Sequence, residues 1–193
     1  MNRTRTIALT ALAMLAVPAT TQAQTKDAKR LAKGEIIVKA YKVKGSDVPK
    51  AVVRAVVNSP PEKVWEVVSN CNKFSKRFDR VAKSKLLKQS GEDFTCTVTI
   101  DMPFPIGDLT GVTRAKHTIK DGKRLRKWSL LKGDYRINNG SWLVEEYGNG
   151  KSLVTYSIHA EPNVPIPGWI RDQAQKSNLP NVIKRLRKEA RKI

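Results

Sequence analysis

The pattern that most constrains the fold is a series of six segments in which apolar and polar residues alternate, as in half-buried strands. Short turns separate most of these segments, as at Ser90-Gly91-Glu92, Asp121-Gly122-Lys123 and Gly148-Asn149-Gly150. Connections this short join neighbouring antiparallel strands. The sequence therefore predicts a meander whose strands are Val81–Gln89, Asp93–Asp101, Thr110–Lys120, Arg124–Leu131, Ser141–Tyr147 and Ser152–Glu161.

One strand and two helices are expected before the meander, and one helix after it. The valine-rich segment Ala51–Asn58 predicts the strand. Ser59–Glu62 predicts a helix start, because serine caps a helix, proline suits its first turn and glutamate completes a capping box. A second short helix is expected around Asn72–Phe78, and helical spacing predicts a long helix over Ile166–Arg191 with a kink at Pro180. This order predicts an α+β fold in which the long C-terminal helix packs against a curved, seven-stranded antiparallel sheet.

The N-terminal segment Met1–Ala23 has the organisation of a signal peptide. Arg3 and Arg5 precede an apolar stretch, Ile7–Val17, that is too short to span a bilayer, and small residues end at Ala23. A buried N-terminal helix is the alternative. Cleavage after Ala23 would leave 170 residues and remove two positive charges. The predicted location is therefore the periplasm or the extracellular space.

The 37 Lys and Arg residues outnumber the 17 Asp and Glu residues and give a formal net charge of +20. In a cytoplasmic protein this charge would indicate nucleic-acid binding. Basic residues concentrate in Asn72–Lys88, Arg114–Lys132 and Arg171–Ile193. Outside the cytoplasm, the anionic head groups of a membrane are the more suitable partner. We therefore expect an anionic membrane surface as a partner, and no nucleic acid.

Three units are predicted along the chain. Residues 1–23 form the signal peptide, and residues 24–47 form a lead-in whose segment Glu35–Lys44 is compatible with an edge strand or an N-terminal extension. Residues 48–193 form one domain, which we expect to be a monomer. Residues 24–34 are polar and are expected to be loosely structured.

Alternate loops of a meander lie at the same end of its sheet. The segments Met102–Leu109, Lys132–Gly140 and Pro162–Gly168 should therefore cluster, and the first and last are apolar and rich in proline. Exposed apolar loops at one end of a curved sheet indicate the rim of a ligand cavity. The alternative is that these side chains close the end of the core. The candidate ligand-binding residues are Phe104, Ile106, Trp142, Val144, Tyr156, Ile158, Ile166, Trp169 and Ile170.

Support for catalysis is weak in the sequence. His117 and His159 are the only histidines, and no common nucleophile, zinc-binding or phosphate-binding motif occurs. We assign no catalytic residue, no cofactor and no metal ligand. Cys71 and Cys96 are the only cysteines, and a disulfide between them is possible in an oxidising compartment but is not decided by the sequence.

Four segments carry a resemblance to a known family. They are AVVRAVVNSPPEKVWEVVSN from residue 51, GSWLVE from residue 140, LVTYSI from residue 153 and PIPGWI from residue 165. Together they resemble the START-like (SRPBCC) superfamily, which includes polyketide cyclase/dehydrase-type and coenzyme Q-binding proteins. The resemblance covers residues 48–191. Similar proteins often have Asp-Arg after the proline-rich loop, where this chain has Asp108-Leu109, so no role is carried over to an arginine there.

The resemblance implies a helix-grip fold with a deep apolar cavity beneath the last helix, used for lipids, sterols, quinones or polyketides. We therefore expect an exported protein that binds or transfers a hydrophobic ligand and docks on anionic membranes. An enzyme of the cyclase/aromatase kind is the first alternative, with Tyr156 or His117 as its first candidate residues. A basic, ribosome-directed toxin-like protein is the second alternative, if the chain is not exported. Inward-facing titratable side chains near a bound ligand would favour the enzyme, and an entirely apolar cavity wall would favour the carrier.

Overall fold

The computed structural model of the protein describes the backbone of residues 19–193 and the side chains of residues 25–173 and 176–193. The strands are β1 (Ile37–Val43), β2 (Ser46–Val57), β3 (Val81–Ser90), β4 (Asp93–Ile100), β5 (Leu109–Lys120), β6 (Lys123–Gly133), β7 (Tyr135–Glu146) and β8 (Ser152–Pro162). The helices are α1 (Ala19–Ala32), α2 (Pro61–Ser69), α3 (Phe74–Arg77), α4 (Gly168–Gln173) and α5 (Leu179–Ala190). A 3₁₀ turn covers Cys71–Lys73, and a π-helical turn covers Ala174–Asn178.

All eight strands belong to one antiparallel sheet in the order β1-β2-β8-β7-β6-β5-β4-β3. The predicted α+β class is confirmed, with a curved antiparallel sheet and a C-terminal helix, but the predicted number of seven strands is wrong. The additional strand is β1, whose Ile37 lies opposite Arg54 and whose Tyr41 lies opposite Lys50 of β2. Its alternation is weak because it is an edge strand with mostly exposed side chains.

The main core lies between the concave face of the sheet and helices α2 and α5. Val64, Val67 and Val68 of α2 are fully buried there, as are Ile183 and Leu186 of α5. The expected capping box at the start of α2 is not formed: Pro60 occupies the cap position, and none of the described side chains caps the helix.

The expected kink in the C-terminal helix is replaced by a π-helical turn just before Pro180. Proline has no N–H to donate to the carbonyl four residues earlier, and its ring clashes with that carbonyl. For Pro180 that carbonyl belongs to Lys176, which lies within the π-helical turn. The irregular turn therefore accommodates the proline, and α5 continues from it.

Residues 24–34 were expected to be loosely structured, and this prediction is wrong for residues 24–32, which lie in α1. Leu31 of α1 is buried against Ile37 of β1 and Val56 of β2, and Asp27 pairs with Lys39. Much of the predicted signal peptide, residues 1–18, lies outside the described residues. Within the described part of the chain, no helix combines the length and apolar character needed to cross a bilayer.

Cys71 and Cys96 form a disulfide, which resolves the question that the sequence left open. The bond connects the 3₁₀ turn after α2 to β4, and both residues are buried in the main core. It therefore fixes the short helices against the sheet beside the cavity described below.

Candidate ligand cavity

A cavity of about 420 Å³ lies between the concave face of the sheet and the segment from α4 to α5. Its wall is mostly apolar, and α3 together with the loops at one end of the sheet completes it. The exposed wall residues Asp79, Arg171, Gln173 and Asn181 mark the opening to solvent. Among the apolar wall residues are Val48, Ala51, Phe74, Phe78, Val98, Ile100, Met102, Leu109, Trp128, Ala160, Leu179 and Val182.

Three loops meet at this end of the sheet. The Asp134 amide donates to Thr110 O at 2.8 Å, and the Asn163 amide donates to Asp134 O at 2.9 Å. The Thr110 amide in turn donates to the Asp134 carboxylate at 2.8 Å. The predicted clustering of the loops after β4, β6 and β8 is therefore confirmed.

The middle loop is much shorter than expected. Lys132–Gly140 was predicted to connect two strands, but β6 extends to Gly133 and β7 begins at Tyr135. Asn138 looks like a turn residue, yet in β7 its side-chain oxygen accepts a hydrogen bond from Trp128 Nε1 at 3.1 Å. Gly140 leaves room for the Trp128 ring, because a Cβ added there would lie 2.3 Å from Trp128 Cζ2.

Five of the candidate ligand-binding residues lie on the cavity wall: Trp142, Tyr156, Ile158, Ile166 and Ile170. The register places Trp142 of β7 opposite Tyr156 of β8, and their rings stack with centroids 4.1 Å apart. The period-two alternation that selected these strand residues therefore identified the concave face correctly.

The other four candidates do not line the cavity. Val144 is on the same face of β7 but is fully buried in the main core. Phe104 is 91% exposed and Trp169 is 56% exposed, so both point away from the cavity. Ile106 is half-buried in the loop before β5, where Met102 and Pro103 form the wall instead. Apolar character in a loop did not distinguish a side chain facing the cavity from one facing solvent.

Sequence reasoning missed the most unusual wall residue, Arg126. Its side chain lies on the concave face of β6, in phase with Trp128, and only 4% of its surface is exposed. A signal was available, because residues two apart on a strand share a face and Trp128 suits an interior position. Arg126 was instead counted with the basic residues of the surface.

The Arg126 guanidinium lies between two rings, 5.3 Å from the centroid of Phe74 and 5.2 Å from that of Trp128. Its Nη2 is 4.0 Å from Cys96 Sγ, and its Nε has no hydrogen-bond partner among the described residues. Among the side chains of residues 25–173 and 176–193, it forms no ion pair. Burial lowers the pKa of Arg126 to about 10, so the group remains charged at neutral pH.

Other polar groups on the wall keep their protons at neutral pH. Burial raises the pKa of Tyr135 to about 12, and burial likewise raises the pKa of Tyr156. In the part of the chain that the structure describes, neither hydroxyl has a hydrogen-bond partner. Thr113 and Asn138 add two more polar side chains to the same wall.

The two histidines do not contribute to the cavity wall. His117 stacks on Phe94, with ring centroids 3.9 Å apart, and burial together with nearby Arg126 lowers the pKa of His117 to about 4. His159 lies on the opposite face of β8 from Tyr156, with its Nε2 2.9 Å from Ser46 Oγ. Of the two residues first considered for an enzyme, Tyr156 lines the cavity and His117 does not.

A family model described as "Polyketide cyclase / dehydrase and lipid transport" matches residues 57–187, more than half of the chain. The protein belongs to this family. The matched range contains most of the cavity wall, from α3 to α5. Membership confirms the START-like resemblance.

Solved structures similar to this family member share its fold. A STAR-related lipid transfer protein of Xanthomonas axonopodis is 23% identical, with a TM-score of 0.71 over 81% of this chain and 93% of that one. Human StAR-related lipid transfer protein 5 is 12% identical, with a TM-score of 0.72 over 90% and 94%. A Streptomyces aromatase/cyclase is 13% identical, with a TM-score of 0.57 over 82% and 95%.

A sequence relative is an uncharacterised protein of Pseudomonas aeruginosa. It is 31% identical over 121 residues, which is 58% of this chain and 60% of that protein. The chain thus spans about three fifths of the curated relative that it matches.

Proposed function

We propose that the protein is an exported carrier that binds a lipid-like hydrophobic ligand in this cavity and exchanges it at anionic membranes. The observation that carries the proposal is the mostly apolar cavity of about 420 Å³ between the sheet and the C-terminal helix. This volume is within the range of small-molecule binding sites, about 300–1,000 Å³. The lipid-transfer names of the proteins with the same fold support the same class of ligand.

The protonation states of the wall support binding rather than acid–base catalysis. Arg126 is a cation and the two tyrosines are neutral at pH 7, so these groups donate hydrogen bonds but do not accept a proton. Among the described wall residues, Asp79 is the one that carries a carboxylate. It is exposed and forms an ion pair with Arg185, with 3.2 Å between Asp79 Oδ1 and Arg185 Nε. A general base near the centre of the cavity is therefore not apparent among the described residues.

A binding titration tests the proposal. The change Ala160→Trp places an indole in the cavity, because Ala160 is on its wall. The matched control is Ile119→Trp, at the exposed far end of β5. We expect a fluorescent fatty-acyl probe to bind the wild-type and control proteins with similar affinity, and binding to fall at least tenfold in Ala160→Trp. Equal binding by all three proteins would contradict a ligand in this cavity.

Cyclase-type chemistry is the second candidate, favoured by the presence of Arg126 and Tyr156 inside the cavity. The two functions differ in what happens to the ligand. The protein is incubated with its bound ligand, and the ligand is then extracted and compared by mass spectrometry with the starting material. A carrier returns the same molecule, whereas an enzyme converts it.

Membrane docking is proposed for the end of the sheet where the three loops meet. Phe104, Val164 and Trp169 are exposed there, with Lys132 and Arg171 on the neighbouring segments. Exposed apolar side chains beside basic ones suit an anionic bilayer, and each basic residue near the surface contributes about 1 kcal/mol. We expect Phe104→Asp to weaken co-sedimentation with anionic vesicles, and Ile119→Asp at the opposite end to leave it unchanged. Equal co-sedimentation with neutral and anionic vesicles would contradict the docking proposal.

Export is proposed from the N-terminal sequence. Cleavage after Ala23 would leave the part of α1 that carries Asp27 and Leu31, so its contacts with β1 and β2 would remain. N-terminal sequencing of the protein from a periplasmic or secreted fraction tests this, with Gln24 as the expected first residue. Recovery of the protein with its N-terminal segment intact would contradict it.

A further inference from the structure

Arg126 is an exception among the buried arginines of this protein. Arg77 is also buried, but it donates to Glu66 O at 2.6 Å and to Glu66 Oε1 at 3.2 Å. Arg187 is partly buried and donates to Val56 O at 3.0 Å and to Gly34 O at 2.9 Å. For Arg126, the single polar contact in the described structure is the one between Nη2 and Cys96 Sγ.

A buried guanidinium without an acceptor is unfavourable, because it has lost water and gained no hydrogen bond in return. The fold places it there by register: Arg126 of β6 lies opposite His117 of β5 and Trp142 of β7. The rings of Phe74 and Trp128 hold the cation but supply no hydrogen-bond acceptor. Arg126 is on the cavity wall, and Cys96 Sγ is the one described group that contacts its guanidinium as an acceptor, so a bound ligand with an acceptor group would complete its hydrogen bonding.

The groups around Arg126 select an anion. Tyr156 lies across Trp142 from Arg126 in the same row of the sheet, and Thr113 is also on the wall. These hydroxyls can donate hydrogen bonds, and no described carboxylate competes for the guanidinium. A planar carboxylate matches the two parallel N–H donors of a guanidinium.

We propose that the ligand is a single-chain carboxylic acid whose carboxylate binds Arg126 and whose apolar chain fills the rest of the cavity. This inference rests on the proposed function, because it names the substrate class of the same cavity. The cavity volume of about 420 Å³ is near the lower end of the range for small-molecule sites, about 300–1,000 Å³. The volume thus suits one acyl chain rather than two.

The acid group lies at the inner end of the cavity in this arrangement. Arg126 is seven residues from Gly133, where β6 reaches the clustered loops, which corresponds to about 23 Å along the strand. The chain of the ligand then extends from Arg126 past Ile158 and Ala160 toward those loops.

The test compares palmitic acid with hexadecanol, which has the same chain length and no charge. Binding to the delipidated full-length protein is measured by the fluorescence of the wall tryptophans, Trp128 and Trp142. Charged hydrogen bonds of the usual strength give an expected preference for palmitate of about 10- to 100-fold at neutral pH. Hexadecyl phosphate is the third probe, and tighter binding of this probe than of palmitate would overturn the carboxylate assignment.

Arg126→Met should abolish the preference by weakening palmitate binding much more than hexadecanol binding. The matched control is Arg114→Met, because Arg114 is exposed on β5. Arg126→Lys, which keeps a charge but not the paired donors, should retain part of the preference. These two variants keep the test decisive if one of them does not fold.

The outcomes separate the two proposals. Equal binding of palmitate and hexadecanol by the wild-type protein would overturn the role of Arg126 and leave the hydrophobic carrier intact. The same conclusion follows if Arg126→Met folds and retains the full preference for palmitate. Failure of the wild-type protein to bind any of the three probes would overturn the carrier proposal and the inference that rests on it.

Discussion

Replacing Arg126 with methionine should stabilise the ligand-free protein, although it removes a charged group from the middle of the structure. The pKa of Arg126 falls from 12.5 to about 10 on burial, which corresponds to about 3 kcal/mol of unfavourable free energy for the buried cation. Methionine removes this cost and fills a similar volume with an apolar chain. Buried charges replaced by apolar residues often give such a gain.

The two ring contacts of the guanidinium are lost in the same change. At about 0.5–1 kcal/mol each, they offset about 1–2 kcal/mol of the gain. The free energy of unfolding should therefore rise by about 1–2 kcal/mol. For a chain of this size, that change corresponds to an increase in Tm of about 2–8 °C.

Urea unfolding of the delipidated wild-type and Arg126→Met proteins measures the difference. Arg114→Met on the exposed side of β5 is the control and should change the free energy of unfolding by less than about 0.5 kcal/mol. A decrease of about 1 kcal/mol or more in the free energy of unfolding of Arg126→Met would refute the reasoning, because Arg126 would then stabilise the ligand-free fold. With palmitate present, the wild-type protein should have the higher free energy of unfolding of the two, since it binds the acid more tightly.

Three further predictions concern the structure around the cavity. Burial lowers the pKa of His117 to about 4, so His117 binds a proton more tightly in the unfolded chain than in the folded one. The free energy of unfolding should therefore fall as the pH decreases from about 6.5 to 4. His117→Gln should flatten this part of the pH profile of urea unfolding, and an unchanged profile would contradict the burial of His117. Without the Cys71–Cys96 disulfide, the unfolded chain is no longer restricted by a closed loop and gains conformational entropy. Cys71→Ser with Cys96→Ser should therefore lower the free energy of unfolding by about 3 kcal/mol, and calorimetry showing the same Tm would count against it. Gly140→Ala should lower the free energy of unfolding by about 1–3 kcal/mol, because its Cβ would meet Trp128 and Ser157 O. Gly168→Ala, with open space around it, should leave the free energy of unfolding nearly unchanged. Equal stability of the two variants would refute the close approach of Trp128.

The sheet could be predicted well from the sequence where each strand has one buried and one exposed face. This holds for β5, whose buried residues Leu109, Gly111, Thr113 and Ala115 alternate with less buried ones. It fails for β1, which is an edge strand with exposed residues on both faces. The sequence also did not predict helix α1, because α1 is polar and Leu31 is its buried apolar contact with the sheet.

The candidate site was predictable only in part, for a physical reason. Alternation fixes which strand residues share a face, and this placed Trp142, Tyr156 and Ile158 on the cavity wall. It does not fix how far along a strand the cavity extends, so Val144 was included although it lies in the core. Hydropathy assigns arginine to the surface, and burial of Arg126 follows from the position of Trp128 two residues later.

The central claim is that the cavity holds a hydrophobic ligand, and native mass spectrometry of detergent-free protein tests it most directly. The account predicts a complex with one bound molecule, released by organic solvent and identified as an apolar carboxylic acid. It also predicts that Ala160→Trp, purified in the same way, has only the mass of the polypeptide. Wild-type protein that carries no apolar molecule, and that acquires none from added palmitate or hexadecanol, would contradict the claim.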